Sequence, residues 1–282
     1  MTQVEQQQAL RLTIIALLVM SAVFALLQFG FTDWAVWQQF SMVRQELPTY
    51  FCEYARMDEI FREGMNTWSN PAFFFSGVWM AVLGFFDSNK NGAAGNLIQH
   101  YPAYSYLFSF VLIYLFPGSA LFHASLTPFP QQWDMSGVFA LVAAPLVYNG
   151  HRFYNFLRFG KTTIRTDQIT KGSIAAFVVI FIGLTAFKWQ LEEFLVVPVF
   201  IIIIGLLIGY LEMNTFIRTK FLWWSIVCII MAMFAFFLDL KKIACAPESP
   251  LQFHSIWHIG SAAGALLLYF YFRSEKTTNA KV

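Results

Sequence analysis

Eight apolar stretches, each close to twenty residues long and parted by short polar segments, leave this chain very few ways to fold. About 20 apolar residues in a helix cross a hydrocarbon core roughly 30 Å thick. Inside lipid, only helices and closed barrels satisfy their own backbone groups. The stretches run near 11–31, 68–86, 104–122, 133–150, 173–188, 194–211, 221–239 and 254–272. They predict an all-α polytopic membrane helix bundle. Charged residues make up 12% of the chain, against about 25% in soluble domains. The 33 phenylalanines and nine tryptophans suit a lipid solvent with aromatic interfaces. A net charge of +2, with no basic patch interleaved with aromatics, argues against nucleic acid as a partner.

The first stretch has two readings, a signal peptide or a membrane anchor. Met1 to Leu10 holds no Lys or Arg, which favours an anchor helix over 1–32. An acidic segment over 33–67 follows, then seven spans over 68–273 and a short tail over 274–282. The spans nearly consume the 282 residues, leaving no room for a separate soluble domain.

Lysine and arginine set the orientation, because cytoplasmic loops collect them. With the N-terminus inside, Arg11, Lys90, Arg152, Arg158, Lys161, Arg165, Lys171, Arg218, Lys220, Arg273, Lys276 and Lys281 fall inside. Only Arg44, Arg56, Arg62, Lys188, Lys241 and Lys242 fall outside. Both termini are therefore expected in the cytoplasm. Compact loops and the lack of a long tail lean towards a bacterial inner membrane.

Under this topology the chemically able side chains gather at one face. His123 ends the third span there, Asp134 opens the fourth, and His254 and His258 open the eighth. Histidines at i and i+4 share a helix face, so His254 and His258 are placed to grip one ion. Ser119 lies one turn before His123 with the same spacing. Three imidazoles and a water form the open tetrahedral site of a catalytic zinc, which brings the pKa of its water to around 7. Asp134 is then a candidate to move a proton to a leaving amine, and Ser119 to hydrogen-bond a developing oxyanion. Together these parts suggest hydrolysis of an ester or amide.

Plainer roles exist for each group. The histidines suit a headgroup interface, Asp134 suits a helix cap beside the interface anchor Trp133, and Ser119 suits close helix packing beside Gly118. Asn66, Ser69 and Asn70 either cap the helix that Pro71 opens or hydrogen-bond groups around a metal. The acidic cluster Glu53, Asp58, Glu59 and Glu63 offers hard oxygens suited to calcium, or is a solvated loop. His100 and His151 read as ordinary loop or interface residues. Cys52 and Cys245 fall outside, where an oxidising compartment would let them pair; Cys228 reads as a small apolar residue within the seventh span.

These residues resemble the alkaline ceramidase family, seven-helix membrane hydrolases grouped with the progestin and adiponectin receptor proteins. The resemblance rests on Cys52-Glu53, Glu63 with Asn66-Thr67-x-Ser69-Asn70, Gly118-Ser119-x-x-Phe122-His123, Gln132-x-Asp134-Met135, and Leu251-Gln252-x-His254-x-x-Trp257-His258. The blocks stand in family order from about residue 50 to 272. The resemblance implies zinc on His123, His254 and His258, with Ser119 and Asp134 beside the attacking water. It implies a ceramide-like lipid cut to a sphingoid base and a fatty acid, and a Cys52–Cys245 disulfide. The family's calcium site uses an Asp-Trp pair before Cys-Glu and an Asn after it; here Tyr50, Phe51 and Ala55 stand there. Only Glu53 and Glu63 remain as candidate calcium ligands, which counts against calcium. Met135 replaces the usual Glu after the catalytic Asp, and the first span lies outside the seven-helix core.

The leading expectation is a zinc-dependent membrane amidase acting on ceramide-like lipids. The alternatives are a zinc-containing lipid receptor with little turnover and a proton-relaying transporter, the latter lacking paired interrupted helices.

Overall fold

The computed structural model describes residues 3–31, 36–43, 50–89, 96–162, 167–191, 193–213 and 219–275. Of the basic residues that orient the chain, Arg44, Lys90, Arg165, Arg218, Lys276 and Lys281 lie outside these ranges, as does the tail beyond Glu275. Ten helices follow one another in the described residues, which contain no strand. They are α1 (Gln3–Gly30), α2 (Gly64–Ser69), α3 (Pro71–Ser88), α4 (Leu97–His100), α5 (Pro102–Ser125), α6 (Pro128–Phe159), α7 (Asp167–Ala186), α8 (Glu193–Glu212), α9 (Thr219–Leu240) and α10 (Phe253–Arg273).

The eight apolar stretches appear as α1, α3, α5, α6, α7, α8, α9 and α10. Among the described residues, seven membrane-length apolar segments stand out, with α2 and α3 forming one from Gly64 to Ser88. The protein is a polytopic membrane helix bundle. The remaining long helix, α6, has 32 residues, about 48 Å at 1.5 Å per residue, so it has ample length. Its sequence is less apolar because it carries Gln131, Gln132, Asp134, Asn149, His151, Arg152 and Asn155. Packing against α5, α7 and α8 shelters much of it from lipid.

Chain punctuation follows local chemistry. Proline opens α3, α5 and α6 at the first helical position, where a missing N–H costs nothing. Gly160 ends α6 in the left-handed region at φ 66°. Helices approach closely where a side chain is absent. A Cβ on Gly260 would meet the Ala232 Cβ at 2.9 Å, and one on Gly84 would meet the Ser105 Cβ at 2.8 Å. Close packing of this kind substitutes for the hydrophobic effect, which does not drive helices together in lipid.

α3, α5 and α6 pack side by side, α10 lies on α3, and α9 on α10; α7 and α8 both lean on α6. The consecutive helices α8 and α9 make no extensive contact with each other. α1 is more than a tether. It packs on α3, Phe24 stacks on Phe116 and meets Phe61 and Trp68 at steeper angles, and the Trp68 indole donates to the Gln28 side-chain oxygen.

Polar locks close the end of the bundle opposite the histidines. Arg152 and Glu275, both fully buried, pair at 3.1 Å, and Thr162 donates to the same carboxylate. Arg273 pairs with Asp87. Glu275, in the segment read as a short tail, is thus packed against the bundle. His151 is also no loop residue: it is buried within α6, its Nδ1 2.7 Å from the Tyr104 hydroxyl.

Candidate metal centre

His123, His254 and His258 meet at one end of the bundle, each offering a ring nitrogen within 4.8 Å of the others. They are 1%, 4% and 3% exposed, so the interfacial, headgroup-facing reading falls. His123 comes from the last turn of α5, and His254 and His258 from the first two turns of α10. Ring centroids stand 4.7 Å apart for His123–His254, 5.0 Å for His123–His258 and 4.7 Å for His254–His258. Phe51 covers the group, 4.2 Å from His254 and 5.3 Å from His123.

What lies behind the rings decides what they present in front. His123 Nδ1 is 2.6 Å from the Glu63 carboxyl, to which the nitrogen donates when that group is ionised. His258 Nδ1 is 2.7 Å from the Ser69 hydroxyl, whose one proton already goes to the Asn66 carbonyl at 2.8 Å. The hydroxyl therefore accepts, and His258 Nδ1 also donates. Protons on both Nδ1 atoms would leave the Nε2 atoms with lone pairs for an ion. His254 Nδ1 faces Asp239 Oδ2 at 3.6 Å, a long contact between two otherwise unpartnered buried atoms. Neutral nitrogen donors, a small enclosed spacing and polar groups behind the rings fit a metal ion.

Ser119 and Asp134 join this group from adjoining helices. Ser119 Oγ is 3.5 Å from His258 Nε2, and Asp134 interacts with the same hydroxyl. Gly118 makes the approach possible: a Cβ there would meet Trp133 Cδ1 at 2.7 Å and the Asp134 backbone nitrogen at 3.0 Å. The cap reading of Asp134 fails, because α6 opens six residues earlier at Pro128, with Thr127 in the cap position. Trp133 is likewise no free interface anchor; its indole donates to the Tyr114 carbonyl at 3.0 Å.

The predicted calcium ligands have other partners. Glu53, nearly fully buried, accepts from the Met65 N–H at 2.7 Å and the Asn66 N–H at 2.8 Å, satisfying the open first turn of α2. Glu63 Oε2 serves His123 and also accepts from Asn66 Nδ2 at 3.2 Å. Among the described residues, the three histidines are the group of three or more potential ligands close enough to share an ion. Asn66, Ser69 and Asn70 do not cap α3 through their side chains; Asn70 Nδ2 donates to the Asn66 carbonyl at 2.7 Å. Asp58 and Glu59 lie apart, against Gln38 and Arg56.

Cys52 and Cys245 form a disulfide with Cα atoms 5.6 Å apart. Cys228 is free and half-buried, its carbonyl close to Gly260. Arg62, missed in the sequence, is buried and donates to the Ser125 carbonyl at 2.6 Å, satisfying the C-terminal end of the helix that carries His123. Asp239 was also missed, since a lone Asp near the end of an apolar run reads as a span boundary.

Glu53 gives the site's foundation a pH dependence. Burial pushes its carboxyl from the ordinary 4.5 up to about 7, against the two backbone N–H bonds that favour the ionised form. Between those values the unfolded chain has lost a proton that the folded chain retains. Stability is therefore greatest below about 4.5 from this group and falls as pH rises towards 7. Thermal unfolding in detergent from pH 5 to 7.5 is expected to show a declining midpoint, with a flatter decline in Glu53→Gln. Equal slopes in both proteins would refute the assignment.

No family model, curated protein or solved structure matches the chain.

Proposed function

We propose that this protein is a zinc-dependent membrane amidase that hydrolyses ceramide-like lipids to a sphingoid base and a free fatty acid. The observation that carries the proposal is the meeting of three buried histidines, two with Glu63 and Ser69 behind their Nδ1 atoms, with Ser119 and Asp134 beside them. Zinc, when bound, supplies Lewis acidity that lowers the pKa of a water and polarises a carbonyl. His123, His254 and His258 would hold it.

The remaining chemistry belongs to the chain. Asp134 accepts the proton of the attacking water and returns it to the leaving nitrogen, so that an amine departs and not an amide anion. Ser119 has one hydroxyl proton. Beside both His258 and Asp134, Ser119 is placed to donate that proton to the oxyanion that forms when the carbonyl is attacked. Phe51 and the surrounding apolar packing exclude bulk water, which strengthens each of these interactions.

A lipid substrate accords with a site sunk into a membrane bundle. The weak contact between α8 and α9 offers acyl chains a lateral entrance from hydrocarbon. The basic residues favour cytoplasmic termini, in a bacterial inner membrane by our reading, and an outward-facing site. The Cys52–Cys245 bond at the same end agrees, since disulfides persist in oxidising compartments.

Protein purified without chelator, and supplied with labelled ceramides of several chain lengths, is expected to hold about one zinc per chain. It should release fatty acid until the metal is stripped. Zinc without release on any ceramide would overturn the substrate and favour a lipid receptor on the same scaffold. Absence of metal would overturn the proposal itself.

A further inference from the structure

We infer that Asp239 is a positioning residue for His254, held in register by the Cys52–Cys245 disulfide. The inference rests on the metal reading of the three histidines and adds how the third of them is aimed.

Asp239 lies in the last turn of α9 and is fully buried. Its two oxygens face different partners. Oδ1 accepts the Cys52 backbone N–H at 3.1 Å; Oδ2 faces His254 Nδ1 at 3.6 Å, and neither of those two atoms has another hydrogen-bond partner. A buried carboxylate oxygen and a buried ring nitrogen left alone are each costly. A small rotation joins them, and it does so only if Nδ1 carries the proton. His254 then has the tautomer that an ionised Glu63 and the Ser69 hydroxyl favour in His123 and His258, with its Nε2 lone pair turned towards theirs.

The chain after α9 closes a loop around this contact. Lys242 and Ala244 both adopt positive φ, 54° and 53°, turning the chain sharply so that Cys245 meets Cys52. Cys52 is thus bonded through sulfur to a residue just beyond Asp239 and through its N–H to Asp239 itself. Its neighbour Glu53 holds the first turn of α2, from which Ser69 reaches His258. The adjacent residues Cys52 and Glu53 therefore support the aim of histidines on both sides of the site.

The variant that exposes this role is Asp239→Asn, because the Cys52 N–H dictates how an amide would sit. The Asn oxygen must remain on that N–H, which turns the NH2 group towards His254. Two donors then oppose each other unless the imidazole moves its proton to Nε2, where it blocks the ion. Asp239→Ala removes the partner without imposing the wrong tautomer.

Zinc affinity by chelator competition is expected to fall about 10–100-fold in Asp239→Asn and less in Asp239→Ala. Thermal midpoints of the metal-free proteins should rank the other way, with Asn near wild type and Ala lower. Affinity in Asn equal to wild type, or affinity following stability so that Ala is the weaker binder, would overturn the inference. Nitrogen-15 spectra of labelled histidine in the metal-free protein separate this failure from that of the metal reading. His254 protonated at Nδ1 in a wild type that binds no zinc would support the positioning role and overturn the metal reading. His254 protonated at Nε2 in the wild type would overturn the inference whatever the metal result. In a Cys52→Ser, Cys245→Ser background the Asn amide is less constrained, and its penalty relative to Ala should shrink.

Discussion

On the proposed zinc-amidase reading, His258→Ala is expected to lose both metal and turnover. His258 is one of only three nitrogens in the group, and its Nδ1 is already fixed by Ser69. Removing a ligand must exceed the 10–100-fold loss in affinity typical of deleting a supporting partner behind one. Loss of the ion would remove several kcal/mol of transition-state stabilisation, so turnover should fall at least about 10³-fold. Zinc content and fatty-acid release measured on one preparation check both halves. The alanine leaves a cavity beside Phe73, so a normal detergent elution profile is needed to show that the bundle survives. A His258→Ala protein that keeps stoichiometric zinc would remove this residue from the ligand set. One that loses zinc yet keeps turnover would break the link between metal and chemistry.

The fold was open to sequence reading because one variable, apolar length, decides whether a segment can cross lipid. Each expected span lies on a long helix, with ends moved mostly by a few residues. α6 extends furthest, because its polar residues at both ends pack against neighbouring helices, and a hydropathy pattern cannot see that shelter. The three histidines were legible for a similar reason. Spacing of i and i+4 fixes a common helix face, and topology brings the third to the same depth.

What supports those histidines was much less visible. Glu63 read as a hard calcium ligand because it stands in an acidic cluster, yet its carboxylate lies behind His123, sixty positions along the chain. Asp239 carried only the signal of a charged residue at a span's end. Ser69 showed the right polarity but no direction, and its role emerged only from the bond its proton makes to Asn66. His151 and Glu275 looked like boundary residues, while packing buried them in polar contacts. Local periodicity reports which face a residue occupies; it does not report what stands opposite.

Asp134→Asn is the change that separates chemistry from metal binding. Asp134 lies outside the three-histidine group, so about one zinc per chain should remain. Asparagine keeps the shape of the side chain and an oxygen beside Ser119, preserving the α5–α6 approach that Gly118 permits. It cannot take a proton from water at neutral pH. Turnover should therefore drop about 10²–10⁴-fold, the range expected when a general base is removed, while substrate binding changes little. Ser119→Ala, which deletes one oxyanion donor, should cost about 10²–10³-fold. If the two act as a couple, the double variant should lose far less than the product of the single losses, since each is disabled without the other. Near wild-type turnover in Asp134→Asn would refute its proton-transfer role. Loss of zinc in that variant would instead place Asp134 among the groups that hold the ion.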